Sequence, residues 1–360
     1  MSSALRSESY EFLKSLLTTA SPSGSEAKVQ RVWSDYVAPY ADRVESDTYG
    51  NVFASRSPDA KPHIVLAGHA DEIGLMISYI NEQGFLYFKA IGGVDRSMLK
   101  GQRVLISGQD GPVNGVIGAL AIHLQEPDDR KKVPEFHDLC IDIGAADRTE
   151  AGRLVRVGDS ATVVSEVWEL ENGRICSRGC DNRIGIWAVA EAMRLLHDHR
   201  GSTSARVTAV STVQEENGLY GATMVGYRLR PSVALVVDVT HATDVPQCST
   251  TKHGEVKLGK GPVISFGSSN HPVVCEKLLH VARARKIPHQ IEAAPRSTST
   301  DADAFFLQRG GIPSVYIGLP NRYMHSPVEV IDLADLDALS RLLAAFAESV
   351  ESGDSFRVAI

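Results

Sequence analysis

Near the start of the chain, apolar residues recur at helical spacing. Tyr10, Leu13, Leu16, Leu17 and Ala20 predict a first helix, stopped by Ser21-Pro22-Ser23-Gly24. Ser25 stands where it would cap a second helix that carries Val29, Val32, Trp33, Tyr36 and Val37 on one face. The pattern then changes. Ile64-Val65-Leu66-Ala67 is a short unbroken apolar run, as expected of a strand buried on both faces of a parallel sheet. Similar runs follow at 207–213, 233–239 and 315–317, separated by helical patterns at 184–196, 273–284 and 333–350. Alternating strands and helices predict a layered α/β domain.

The stretch 74–167 has another texture. Short β-rich pieces, Gly84-Phe85-Leu86-Tyr87-Phe88, Arg103-Val104-Leu105-Ile106 and Ala161-Thr162-Val163-Val164, are punctuated by glycines, with no long amphipathic helix. It reads as a small β domain inserted into the α/β domain. The expected division is residues 1–72 and 168–360 for the catalytic part and 73–167 for the insert. Within the insert, the charged stretch 126–135, with Arg130-Lys131-Lys132, reads as an exposed loop.

A chain of 360 residues holds about two domains. Its 43% apolar and 22% charged residues exclude a mainly disordered or collagen-like protein. A net charge of −7 supplies no general basic field for nucleic acid or an anionic membrane, and neither is expected as a partner. Of the five cysteines, Cys176 and Cys180 are closest, and no second close pair completes a zinc ribbon. They read as reduced thiols. Arg6, Glu8, Glu11 and Lys14 interrupt any signal-peptide core, and apolar stretches such as 342–347 are too short to span a bilayer. A cytoplasmic protein is expected.

No G-x-S-x-G elbow supports a serine hydrolase. The stretch 254–261 resembles a phosphate loop, but Gly261 stands where a hydroxyl is needed, and it reads as a hairpin turn. What remains is a set of metal ligands at strand ends. His69 and Asp71 follow the first apolar run and Glu215-Glu216 the second. Asp238 interrupts the third and His325 lies beyond the fourth, while Asp181 precedes the helix at 184–196. Taken singly, each has an ordinary structural reading: a turn histidine, a solvated acidic pair, a helix cap. Jointly they place an acid or an imidazole from five segments at the carboxyl edge of one sheet, where open α/β sheets bind ligands.

At these residues the sequence resembles the dinuclear-metal aminopeptidases that include tetrahedral (TET) aminopeptidase and glutamyl aminopeptidase, some of them labelled endoglucanase. The motifs are Gly68-His69-Ala70-Asp71-Glu72-Ile73-Gly74, Asp181-Asn182-Arg183-Ile184-Gly185, Val213-Gln214-Glu215-Glu216, Asp238, Ser299-Thr300-Asp301-Ala302 and Arg322-Tyr323-Met324-His325-Ser326-Pro327. They run in order along nearly the whole chain. The resemblance implies a three-layer α/β catalytic domain with a mixed, largely parallel sheet and an inserted β-barrel-like domain, which has an oligomerisation or substrate-access role. It also implies a homo-oligomer, by analogy a dodecamer, acting on peptides.

By the same resemblance, His69 and Asp238 hold one metal, Glu216 and His325 the other, and Asp181 bridges them. Glu215 is the general base and Asp71 orients the His69 ring. Asp301, Asp303 and Arg322 are expected near the substrate. Two divalent ions against Asp181, Glu216 and Asp238 leave one positive charge, which a bridging hydroxide neutralises. Mixed imidazole and carboxylate ligands suit Zn2+ or Co2+, with Mn2+ possible. Three positions depart from the family pattern. Ala70 replaces a common Met, Asn182 a common Asp, and Asp303 a common small residue; if Asp303 lines the substrate pocket it would disfavour acidic side chains. A cis peptide is expected at Asp181–Asn182. Competing activities are an N-acyl amino acid deacylase with the same metals and, more remotely, a glycoside hydrolase using two carboxylates. A non-catalytic binding or shell subunit is the reading outside enzymology.

Overall fold

The computed structural model describes residues 5–199 and 203–360. The chain opens with α1 (Ser7–Thr18), α2 (Ala27–Val37), β1 (Arg43–Ser46), β2 (Val52–Arg56) and β3 (His63–His69). It then runs through β4 (Gly74–Ile80), β5 (Leu86–Ile91), β6 (Arg103–Gly108), β7 (Gly111–Gly118), β8 (Cys140–Asp142), α3 (Arg148–Leu154) and β9 (Ser160–Val163). After β10 (Trp168–Leu170), β11 (Arg174–Ser177) and α4 (Cys180–Asp198) come β12 (Arg206–Thr212), α5 (Tyr220–Leu229), β13 (Val233–His241) and α6 (Thr250–His253). The remainder is β14 (Val263–Phe266), α7 (Pro272–Ala284), β15 (Gln290–Ala293), α8 (Asp301–Phe306), β16 (Ser314–Asn321), β17 (Glu329–Asp332) and α9 (Leu333–Ser349).

The main sheet has the order β1-β2-β12-β3-β13-β16-β14-β15. Its four central strands, β12, β3, β13 and β16, are mutually parallel. They are the four apolar runs of the sequence. Both faces are covered: Ile64 and Leu66 join a core with α1, α2, α4, α7 and α9, while Val65 and Ala67 face α5 and α8. A fully buried side chain such as Leu66 contributes about 2–3 kcal/mol of transfer free energy. The result is a three-layer α/β unit with a mixed, largely parallel sheet.

Between β3 and β10 the chain forms a closed barrel, ordered β4-β5-β8-β7-β6-β9, with antiparallel neighbours. Its interior takes every second residue: Leu75 and Ile77, Leu86 and Phe88, Val104 and Ile106. Closure leaves no edge unpaired along this small sheet. Residues 126–133 are exposed.

Two local expectations fail. The second helix starts at Ala27, with Glu26 in the cap position. Ser25 instead closes a turn, its N–H donating to the Pro22 carbonyl at 2.7 Å and its hydroxyl accepting from Ser160. Nor is 254–261 a hairpin: β14 pairs with β15 and β16. The loop is pinned by Asp335, which accepts from Gly259 N–H and Gly261 N–H at 2.7 and 2.6 Å. No helix among the described residues is long and apolar enough to cross a membrane. The five cysteines are free.

Candidate metal centre

Parallel strands deliver their ends to one edge, and the expected ligands meet there. His69 is the last residue of β3, Glu215 and Glu216 follow β12, Asp238 lies in β13, and His325 stands between β16 and β17. Asp181 comes from the start of α4, where the Asp181–Asn182 peptide is cis as expected. Gly68 permits this meeting: a Cβ there would lie 2.8 Å from the Gly185 carbonyl carbon, so β3 and α4 touch backbone to backbone.

One ligand atom each from His69, Glu215 and Asp238 lie within 4.8 Å of one another, and so do atoms from Asp181, Glu216 and His325. Asp181 joins the two groups. Its Oδ1 is 3.3 Å from His69 Nε2 and its Oδ2 is 3.2 Å from His325 Nε2. Glu215 Oε2 and Asp238 Oδ1 are 3.8 and 3.6 Å from His69 Nε2, and Glu216 Oε1 is 3.5 Å from His325 Nε2. Both imidazoles place Nδ1 3.1 Å from a backbone carbonyl, Asp71 for His69 and Gly93 for His325. Donation from Nδ1 to these carbonyls would free the Nε2 lone pair for a cation held among the carboxylates, the tautomer a metal ligand needs.

The electrostatics of this cluster call for cations. Burial pushes Glu215 up to about 10; His69 opposes, while Asp238, Asp301 and Glu216 add to the rise. Glu216 and Asp238 are also raised, chiefly by burial. Contacts with the Asp181 and Glu216 carboxylates lift His325 to about 11. Burial disfavours a charged His69, yet Glu215 and Asp238 outweigh it and hold its pKa well above the usual imidazole value. Asp181 goes the other way: burial would raise it, but His325 and His69 keep it below the usual carboxylate range. Among the described residues, none donates a hydrogen bond to the buried Glu216 Oε1. Buried carboxylates crowded to this degree need cations to stay ionised together. The donor set, two imidazoles and carboxylates without thiolate, fits borderline divalent metals.

The surrounding residues explain the orientation. Asp71, fully buried, accepts from Ser23 Oγ at 2.6 Å and from the Glu215 and Glu216 amides at 3.0 and 3.1 Å, so it fixes the glutamates as well as His69. Glu329 accepts from the Asp181 amide at 3.2 Å and the His325 amide at 3.0 Å. Asn182 Nδ2 donates to the Val237 carbonyl at 2.7 Å, and its Oδ1 accepts from Gly185 N–H. The first of these bonds uses the amide N–H that an aspartate carboxylate lacks. Ala70 is buried packing, its N–H donating to the Thr212 carbonyl.

The three side chains expected near the substrate are engaged by protein groups. Arg322 forms a two-point ion pair with Asp244, at 2.9 and 2.7 Å. Asp303 accepts from Ser269 Oγ and Ser299 N–H. Asp301 is buried behind the centre, accepting from Thr212 Oγ1 at 2.6 Å. None of the three lines the cleft beside the ligands, whose wall includes Thr240, His241, Arg296, Tyr316 and Met324. Gly93 and Glu329 were not singled out from sequence. A Gly-Gly pair after a strand is one signal of close backbone approach, and a Glu between Val328 and Val330 is another, of a buried acid.

A profile of the M42 glutamyl aminopeptidase family matches residues 50–342. The lysyl aminopeptidase of Pyrococcus furiosus is 33% identical over 350 residues, covering 96% of this chain and 98% of that protein. Among solved structures, the TET aminopeptidase of a marine sediment archaeon of the Thaumarchaeota superposes with a TM-score of 0.91 at 35% identity, covering 96% of this chain and 97% of the other. The TET1 peptidase of Pyrococcus horikoshii, which can assemble into a tetrahedron or a large octahedral shell, gives 0.85 at 33% identity, with 95% and 100% covered.

Proposed function

We propose, for a chain that belongs to the M42 glutamyl aminopeptidase family, that it removes N-terminal residues from peptides at two divalent ions held by five of its side chains. It is a peptidase hydrolase of that family. His69 and Asp238 would hold one ion, Glu216 and His325 the other, and Asp181 both. The observation that carries this is the position of Asp181, a buried carboxylate with one oxygen toward each imidazole. When bound, such ions polarise a scissile carbonyl and acidify the attacking water.

The rest is the work of the chain's own groups. Glu215 does not ligate in this reading. It stands at the edge of the cluster, its Oε2 3.8 Å from His69 Nε2, and with cations keeping it ionised its carboxylate can take a proton from water and pass it to the leaving amine. Asp71 keeps the His69 ring and the glutamate turn in place. The cleft beside the ligands receives the substrate, with Arg296 and His241 on its wall. The inserted barrel is proposed as an assembly and access element of a homo-oligomer, by analogy with the shell-forming TET1 peptidase of Pyrococcus horikoshii. Five unpaired thiols suit the reducing cytoplasm.

The test is one purified sample assayed twice, for bound metal and for cleavage of free and N-acetylated aminoacyl chromogenic substrates. About two metals per chain, cleavage of free amino termini, and loss on chelation with recovery on adding Zn2+ or Co2+ are expected. Cleavage of the acetylated substrates alone would replace the reading with a deacylase; metal without turnover on either would replace it with a binding role.

A further inference from the structure

The turn that presents Glu215 and Glu216 is held by side chains from other parts of the chain. Val213 N–H donates to Asn51 Oδ1 at 3.1 Å and Gln214 N–H to Glu26 Oε1 at 3.1 Å. Glu215 N–H and Glu216 N–H donate to the two oxygens of Asp71. Four consecutive amides thus have side-chain acceptors from three residues distant in sequence. Gln214 sits in the left-handed region, with φ +56°, a conformation that costs a non-glycine residue free energy and persists only where its surroundings enforce it.

Asp71 belongs to the centre itself. Glu26 does not: it precedes α2 and lies before the residues matched by the family profile. It is only 5% exposed, and its Oε1 also accepts from Gly24 N–H at 2.7 Å. The segment around it is tied to the β3 exit, since Ser21 Oγ donates to the Ala70 carbonyl and Ser23 Oγ to Asp71. Its carboxylate is therefore a fixed post against which the strained peptide rests.

We infer that Glu26 is a positioning residue for Glu215, setting the direction in which the base meets the substrate by holding the Gln214 amide. This rests on the reading of Glu215 as the general base. Without the acceptor, the Gln214 N–H loses its partner in a conformation that is already unfavourable, and the turn relaxes. Glu215 is the next residue along, and a displacement of about 1 Å at a reacting group lowers turnover about a hundredfold.

The test compares Glu26→Gln, which keeps the accepting oxygen, with Glu26→Met, which fills similar space without one, and with Glu26→Ala. Each is measured for kcat, KM, bound metal, and hydrogen exchange of residues 213–216. For E26M and E26A we expect kcat to fall about ten- to a hundredfold, with little change in KM or metal content and faster exchange at the turn. E26Q should stay close to the parent. A second arm uses Gln214→Gly, which removes the cost of the positive φ; the loss caused by E26M should be several-fold smaller in that background. Unchanged kcat in E26M, an equal fall in E26Q and E26M, or the same E26M loss in both backgrounds would overturn the assignment. If the parent cleaves no free aminoacyl substrate, the proposed function fails, and exchange at 213–216 still decides whether Glu26 holds the turn.

Discussion

Every residue of β3 and β16 in the main sheet is buried, whereas β5 and β6 of the barrel bury roughly alternate side chains. The difference has a functional consequence. A strand covered on both faces tolerates a polar side chain only where something satisfies it, so His69 and Asp238 stand out among Val and Leu and mark the site. The outward positions of the barrel wall accept polar residues freely, so a polar side chain there marks nothing. The barrel's contribution to the centre is backbone: the Gly93 carbonyl on His325 Nδ1, and Gly92 close against Glu216. One unit supplies the reactive side chains and the other sets the angle of one of them.

The largest effect should follow from touching the chemistry of the α/β unit directly. Glu215→Gln should keep its metal and its fold and lose about 10²–10⁴ in kcat. Full turnover in that variant would remove the base assignment and with it the claim that the reactive groups lie in one unit. A smaller effect should come from the barrel side. A Cβ at Gly93 would lie 3.0 Å from His325 Nδ1, so Gly93→Ala should shift the ring and weaken metal affinity or activity by about 10–100-fold, with an unchanged circular dichroism spectrum. A metal titration matching the parent would show that the barrel orients nothing.

A further test separates the two units by pH. His63 at the start of β3 is held at about 3 by burial and by the nearby Arg206, against 6.5 for a free imidazole. It stays neutral in the folded sheet while the unfolded chain takes up a proton. Its contribution is therefore complete above pH 6.5 and is lost as pH falls toward 3, on the order of 2–3 kcal/mol by pH 4.5. Between pH 7 and 4.5, hydrogen exchange should accelerate in β3 and β12 more than in β5 and β6, and His63→Gln should flatten that dependence. Equal acceleration in both units, or no flattening, would tie the acid response to some other group.

Partners that only the fold reveals hold several of the polar residues singled out in the sequence. Arg322 pairs with Asp244, and the bridge between Arg322 and Val330 beside the small β10-β11-β17 sheet sets its place. Asp303 accepts from Ser269 and Ser299. Ser25 has the right chemistry for a helix cap, yet the turn at Pro22 uses its amide and Glu26 stands in the cap position.

By itself the sequence determined the four central strands, the helices α4, α7 and α9 and the set of acids and imidazoles at the strand ends. Those follow from local patterns: unbroken apolar runs can only be buried on two sides, and a charge inside one must be compensated. Tertiary structure alone decided that Asp181 faces both imidazoles, that Asp71 serves the glutamate turn as well as His69, and that Glu26 and Gly93 reach the centre from outside it. Hydrogen bonds between segments depend on distances of a few ångströms that no local pattern encodes, because they are fixed only when both segments have packed against the same core.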